Sequence, residues 1–445
     1  MSADANNKQR PASRRDFLRF AALAAGAGAG AAVLAACGGA TSGTTTGSGT
    51  AAPGATGSAV ELSHWYHQYG EEGTQQAAAR YAADYSKVKS NVKVNMIWKP
   101  GDYAAALNAA LLAPDGPDVF ESSLNLDMVK AGQVAALDDI YGDTKSDFNE
   151  IGLKANTVDG KLYGVKMIDD MGMLYYRKSM LDAAGVKPPT NLDELGAAID
   201  KLSTPKVKGF FMGNDGGIGV LNTAILWSAG HDLLTSDGKK PDFNNDETVA
   251  AFTKAQGFLK DHGKGILSGA PTDWWDPSTF TQGLSAMQWT GLWAMPGIKK
   301  AIGDDFGVVP WPAIGAGQGT PTTFWGGWTQ FVNAKGKNVD AAKEYVKWLW
   351  ITNTDIQKDW SLSYGFHVPP RKTAAASAVP LQSGPAKEAV DILSKYGKPG
   401  FPNWTGAMNT VYGDAVNNML KNGADPKAEL AGASTKVQAE LDKQK

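Results

Sequence analysis

From Val60 onward the chain alternates β-prone runs with helical stretches, and that alternation admits few folds. Val60–Tyr66 is apolar and β-prone, Thr74–Ser86 has helical spacing, and Val92, Val94, Met96 and Trp98 line one face of a second strand. Asp102–Leu112 is a second helical stretch, and the turn Pro114-Asp115-Gly116-Pro117 leads into a short buried strand, Asp118-Val119-Phe120. This order predicts a parallel-type α/β sheet, whose ligands gather beyond the carboxyl ends of the strands. The loops after Trp65 and after Phe120 are the first places to expect a site.

Residues 1–59 read as an address and a tether. Lys8, Arg10, Arg14, Arg15 and Arg19 precede Ala21–Ala36, where 13 of 16 residues are Ala or Gly. That stretch is too short and too poor in Leu, Ile and Phe for a membrane span, which needs about 20 strongly apolar residues. Ser13-Arg14-Arg15-Asp16-Phe17-Leu18-Arg19 resembles a twin-arginine export motif, and Leu34-Ala35-Ala36-Cys37 resembles a lipobox. Residues 38–59 hold only Gly, Ala, Thr, Ser and Pro, the composition of a flexible linker. The expectation is an export signal at 1–36, a lipidated Cys37 with a linker to residue 59, and a body held on the outer face of the cell membrane.

Composition narrows the body further. The whole 445-residue chain, with 43% hydrophobic and 20% charged residues, has a globular composition, and its formal charge of −2 offers no general attraction for nucleic acid. Cys37 is the one cysteine, which excludes an intramolecular disulfide framework and a thiolate metal cluster. The five histidines contain one close pair and no His-Glu-x-x-His run, so no metal and no cofactor are expected. The Gly213–Gly219 loop carries no Walker lysine, and no Gly-x-Ser-x-Gly elbow is present.

Further along, the chain shows a hairpin turn at Asp159-Gly160, a strand at Met173–Tyr176, a helix ended by Gly185, and a helix capped by Thr190 or Asn191 with Glu194 in its first turn. Then follow Phe280-Thr-Gln-Gly-Leu-Ser-Ala-Met, Gly291-Leu-Trp293, Phe306-Gly-Val-Val-Pro-Trp-Pro, Trp325-Gly-Gly-Trp328 and Gly365-Phe-His-Val-Pro-Pro-Arg371. In this order, over nearly all of 60–445, the pieces resemble the extracellular solute-binding proteins that feed sugar ABC importers, the group that includes maltose-binding protein. The resemblance implies an α/β, two-lobed periplasmic-binding-protein-like fold with a ligand cleft and an interlobe hinge. Lobe one would comprise 60–167 and 310–356, and lobe two 168–309 and 357–445. The chain would cross near Met167–Asp170, return near Val309–Pro312, and cross again near Asp355–Trp360. The implied partners are a carbohydrate, the permease subunits of an ABC importer, and the membrane through Cys37; the body is expected to act as a monomer.

A sugar presents hydroxyls that need fixed donors and acceptors, and a C–H face that stacks on aromatic rings. Trp65, Tyr66 and His67, the Trp274-Trp275 pair between Asp273 and Asp276, and Trp325 with Trp328 have that character. The resemblance adds Trp293 as a stacking aromatic, with Met295 in place of a second one, Ser122, Ser123 and Asn125 as hydroxyl-binding polar groups, and Asp170 as an acid from the crossover. Arg371 is placed at the ligand or between the lobes. Two alternatives remain open at this point: a secreted glycoside hydrolase drawing on Glu121, Asp170, Asp273 and Asp276, which would need a carboxyl pair about 5–10 Å apart, and a binding protein for a non-sugar ligand such as a polyamine.

Overall fold

The computed structural model describes residues 58–113 and 115–444. Arg14, Arg15, Cys37 and the linker as far as Gly57 lie outside the described residues. Val60–His67 pairs in parallel with Val92–Lys99 on one side and Val119–Ser122 on the other. Thr329–Val332 then joins antiparallel to Val119–Ser122 and to Gly164–Lys166, completing a five-stranded sheet. The crossover helix Thr74–Val88 buries Ala77, Ala78, Tyr81, Ala82 and Tyr85, the three- and four-residue spacing of one helical face.

A second sheet of four strands runs in the order 307–309, 172–176, 285–291, 208–211. Its central strand Ser285–Gly291 is buried throughout, as a strand covered on both faces must be. Helices Leu192–Leu202, Ile218–Ser228, Asp246–His262, Gly406–Asn422 and Pro426–Asp442 build a core on it with Phe210, Trp289 and Trp311. Local chemistry explains several boundaries. Asn191 accepts from the Glu194 amide (3.0 Å) while the Glu194 carboxylate accepts from Thr190 N–H (2.8 Å), a reciprocal cap. Asp159 and Gly160 both have positive φ, 50° and 74°, the two-residue turn that joins Thr157–Val158 to Lys161–Leu162. The result is a mixed α/β, two-lobed periplasmic-binding fold.

Three chain segments pass between the sheets, and the first is hydrogen-bonded to both of the others. Met167 N–H donates to Trp328 O (2.9 Å), Gly326 N–H to Asp170 O (2.8 Å), and Asp169 and Val368 exchange backbone bonds of 2.8 and 3.0 Å. The second passage lies at Trp325–Trp328, not near Val309–Pro312, because Trp311 is fully buried against Phe210 and Trp289 in the second lobe. The third lies at Phe366–Val368, not at Asp355–Trp360. Helix Thr354–Ser363 stays in the first lobe because Trp360 packs on Tyr66 and Tyr69.

Around these passages sit four buried charged or titratable groups. His367 Nδ1 is 2.8 Å from Asp170 Oδ2, and Lys166 Nζ donates to Gly326 O (2.8 Å) and Gly327 O (3.1 Å), with Asp169 Oδ1 at 3.9 Å. Burial alone would lower the His367 pKa, but the charge and hydrogen bond of Asp170, helped by Glu71, outweigh it and hold the imidazole above its ordinary value. A raised folded-state pKa contributes stability that is complete below the unfolded value of about 6.5 and is lost as pH rises through the folded value. Thermal melts across that window should show the melting temperature falling with rising pH in the parent, and His367→Gln should flatten that slope; an identical slope in both would contradict the assignment.

Candidate functional site

The strand ends of the first lobe bring a polar and aromatic group together. Glu121, in the third strand and wholly buried, accepts from His67 N–H (2.7 Å) and Tyr69 O–H (2.7 Å), and lies 2.5 Å from His67 Nδ1. Both carboxylate oxygens are thus engaged, and the imidazole is held with Nδ1 inward, so its Nε2 edge is the one available for a ligand. The ring stacks on Trp328 (centroids 4.5 Å apart, 28° between planes) and lies against Tyr69 (3.9 Å). Tyr103 O–H donates to Glu121 O (2.9 Å), fixing the adjacent backbone. Burial, reinforced by the Glu121 charge, pushes the Tyr69 phenol far above its usual pKa, so it remains a donor. Trp65 is half-buried with Lys99 Nζ 3.6 Å from its ring centroid, a cation–π contact.

In the second lobe the Asp273–Asp276 loop is shaped by its own acids. Asp273 Oδ1 accepts from Asn214 N–H (3.0 Å) and Trp274 N–H (2.8 Å), and Asp276 Oδ1 from Ser278 N–H (2.8 Å). Gln288 Nε2 donates to Asp276 O (2.7 Å), tying the loop to the central strand. Held in this way, the loop leaves Trp275 53% exposed and Trp274 half-buried. Trp293 Nε1 donates to Trp275 O (2.9 Å), and the Trp274 and Trp293 rings meet edge-on at 5.8 Å. Trp293 lies over Gly291 so closely that a Cβ there would sit 1.9 Å from its ring, so that glycine is required for the indole's position. Behind this platform lies a cavity of about 180 Å³ walled by Trp227, Trp274, Trp289, Trp311 and Phe324.

The lobes touch beside these groups. Leu126 N–H donates to Pro402 O (2.7 Å), joining the end of the Ser122–Asn125 loop to the loop that carries Phe401 and Trp404. Ser122 is half-buried and Ser123 exposed; Asn125 Oδ1 caps the following helix at Met128 N–H (3.0 Å), which commits its oxygen.

Four expected ligand residues are placed elsewhere. Tyr66 is 1% exposed, stacked between Trp98 (5.2 Å) and Trp360 (5.5 Å), so it is core. Asp170 accepts from Met171 N–H and pairs with His367, both oxygens serving the hinge. Arg371, just beyond the third passage, donates from Nε to Asp147 (2.8 Å) and from Nη1 to Ile351 O and Thr354 Oγ1 (2.9 Å each) of the first lobe, so of its two expected places it takes the structural one. Trp325 packs on Gly397 in the second-lobe core, with Nε1 buried. Glu121, Tyr69, Tyr103, Lys99, Trp227, Trp289, Trp311 and Phe324 join the two groups without having been singled out as ligand contacts. Glu121 was legible in principle, since it closes a strand parallel to the one that ends at His67.

The match to a family model decides the class of the molecule: residues 76–389 fit the bacterial extracellular solute-binding protein family. The chain belongs to that family. Among curated relatives, the diacetylchitobiose binding protein DasA of Streptomyces coelicolor is 28% identical over 352 residues, covering 74% of this chain and 78% of that one. A Deinococcus radiodurans binding protein of the ABC transporter class is 28% identical over 282 residues, 59% of this chain and 66% of that protein. In fold, the chain is similar to the GacH receptor of Streptomyces glaucescens, solved with acarbose, at a TM-score of 0.70 and 22% identity over 86% of this chain and 98% of that one. UgpB of Mycobacterium tuberculosis, in complex with glycerophosphocholine, also gives 0.70, at 19% identity over 87% and 99%. Among the described residues no helix is long and apolar enough to cross a membrane, and no group of three or more His, Cys, Asp or Glu side chains could hold a metal ion.

Glu121→Gln should remove the acceptor from one of its three donors while burying an amide N–H₂ against it. A loss of about 1–3 kcal/mol in urea unfolding is expected, together with a shift of the His67 imidazole resonances; unchanged stability and resonances would contradict the organising role of Glu121.

Proposed function

We propose that this solute-binding protein captures a carbohydrate between its lobes and delivers it to an ABC importer, held at the outer face of the membrane through lipidated Cys37. The observation that carries the reading is the pairing of chemistries across the crossing segments. The first lobe offers His67 backed by Glu121, with Trp328 and the Ser122–Ser123 loop, and the second an aromatic platform of Trp274, Trp275 and Trp293. Fixed polar groups serve hydroxyls, and flat rings serve sugar C–H faces. Relatives named or solved with diacetylchitobiose and acarbose support the same class of ligand.

Capture needs no covalent step. Ligand contacts from both lobes stabilise a closed arrangement, and the difference in affinity between open and closed forms shifts the hinge equilibrium. Hydrolysis is disfavoured by the state of the acids: Glu121, Asp170, Asp273 and Asp276 are each hydrogen-bonded within their own surroundings. A polyamine would have to use the one oxygen that each acid flanking Trp274-Trp275 does not commit to backbone amides.

A tryptophan-fluorescence titration against mono- and oligosaccharides, with the same mixtures assayed for cleavage, tests the proposal. Saturable binding with intact sugar is expected; cleaved sugar, or silence across the panel, would overturn it. Trp293→Ala should raise Kd about tenfold, the loss of one stacked ring and its buried area, and an unchanged Kd in a folded variant would remove Trp293 from the site. Cys37→Ala should release the protein from the membrane fraction, and retention there would refute lipidation at that residue.

A further inference from the structure

Away from the three passages, the lobes are joined by a backbone hydrogen bond from Leu126 N–H to Pro402 O, 2.7 Å long. Neither residue lies in a crossing segment, and each is fixed by its own lobe. Leu126 opens the helix Leu126–Lys130 and belongs to the first-lobe core that contains Tyr103, Leu107, Phe120 and Phe331. It follows Asn125, whose side chain caps that helix. An N–H at the first helical position has no partner inside its helix, so it is available to an outside acceptor.

The acceptor is held as firmly. Trp404 N–H donates to Phe401 O (3.0 Å), closing a four-residue turn with Pro402 at its second position, where the fixed φ of proline sets the turn in advance. Asn403 Nδ2 donates to Gly238 O (2.8 Å), and Asn403 O accepts from Gln444 Nε2 (3.0 Å). Phe401 and Trp404 pack against the second-lobe core. The Pro402 carbonyl is therefore presented to the first lobe by a turn whose other members are tied to the second.

Two ends fixed in this way keep their hydrogen bond over a narrow range of lobe positions. Such a bond tolerates N···O distances of about 2.7–3.2 Å, so a movement of about 1 Å between the partners ends it. Once they are apart both groups return to water, so the bond counts toward the closed arrangement and not toward an open one. A ligand gripped by both lobes binds the closed form more tightly, and any contribution that favours closure raises its apparent affinity.

We infer that the Phe401–Trp404 turn is a latch, which favours closure of the lobes through the bond between Pro402 O and Leu126 N–H. The inference rests on the capture reading above and adds a contact that holds the closed state.

Leu126→Pro removes this N–H while leaving the backbone geometry in place. Proline is favoured at the first position of a helix, and Asn125 already has the extended backbone, φ −135° and ψ 157°, that a residue before proline adopts. Leu126→Ala is its control, since it shortens the same side chain and keeps the N–H. In small-angle X-ray scattering of the full unliganded chain, Leu126→Pro should have a larger radius of gyration than Leu126→Ala. In titrations with maltotriose and cellobiose, the proline variant should bind about three- to tenfold more weakly than the alanine variant, the scale of one hydrogen bond. Pro402→Gly, which keeps both partners but frees the turn, should shift both readouts in the same direction and serves if Leu126→Pro does not fold. Equal radii for the proline and alanine variants would overturn the latch, and so would equal affinities for a sugar that both bind. Absence of any bound saccharide would contradict capture alone, because the radii decide the latch without a ligand.

Discussion

The pairing of His367 with Asp170, set among three chain passages of which the second and third are each hydrogen-bonded to the first, is the constraint on which the two-lobed arrangement depends. Each passage alone is a short extended segment. Together they form a strip where Lys166, Asp169, Asp170 and His367 are buried, His367 paired with Asp170 and Lys166 bonded to two backbone carbonyls beside Asp169. Removing one partner of such a group leaves a buried charge uncompensated, typically at about 3–5 kcal/mol. The strip therefore limits which motions are cheap. Burial also raises the Asp169 carboxylate above its ordinary pKa, an effect that Lys166 opposes. The hinge is thus electrostatically tuned as well as hydrogen-bonded, and Asp170 belongs to that device.

On either side of the strip the lobes contribute unlike surfaces. The first lobe spends a fully buried carboxylate on orienting His67 and Tyr69, so the end of its strands there is polar and preorganised. The second lobe shapes its aromatic loop by hydrogen bonds from backbone amides to Asp273 and Asp276 and so presents the rings of Trp274, Trp275 and Trp293. Preorganisation of this kind lowers the ordering cost of binding.

Much of the architecture was legible in residue order because it is local. The Asp159-Gly160 hairpin and the Asn191/Glu194 cap each depend on residues within a few positions of one another. The later passages between lobes were misplaced because their location is decided by distant partners: Trp311 by Phe210 and Trp289, Trp360 by Tyr66. Tyr66 is placed by strand alternation. Trp65 and His67 flank it on a strand whose side chains alternate faces, so the register that leaves those two half-buried turns Tyr66 into the core. The aromatic pocket could not be read at all, since its walls come from segments around 220, 274, 289, 311 and 324.

The central claim is that a sugar closes two lobes about this strip and leaves intact. Small-angle X-ray scattering of the protein with and without saturating saccharide, followed by recovery of the ligand, tests it most directly. The account predicts a smaller radius of gyration in the bound state and chemically unchanged sugar. An unchanged radius at demonstrated saturation, or a cleaved product, would contradict it.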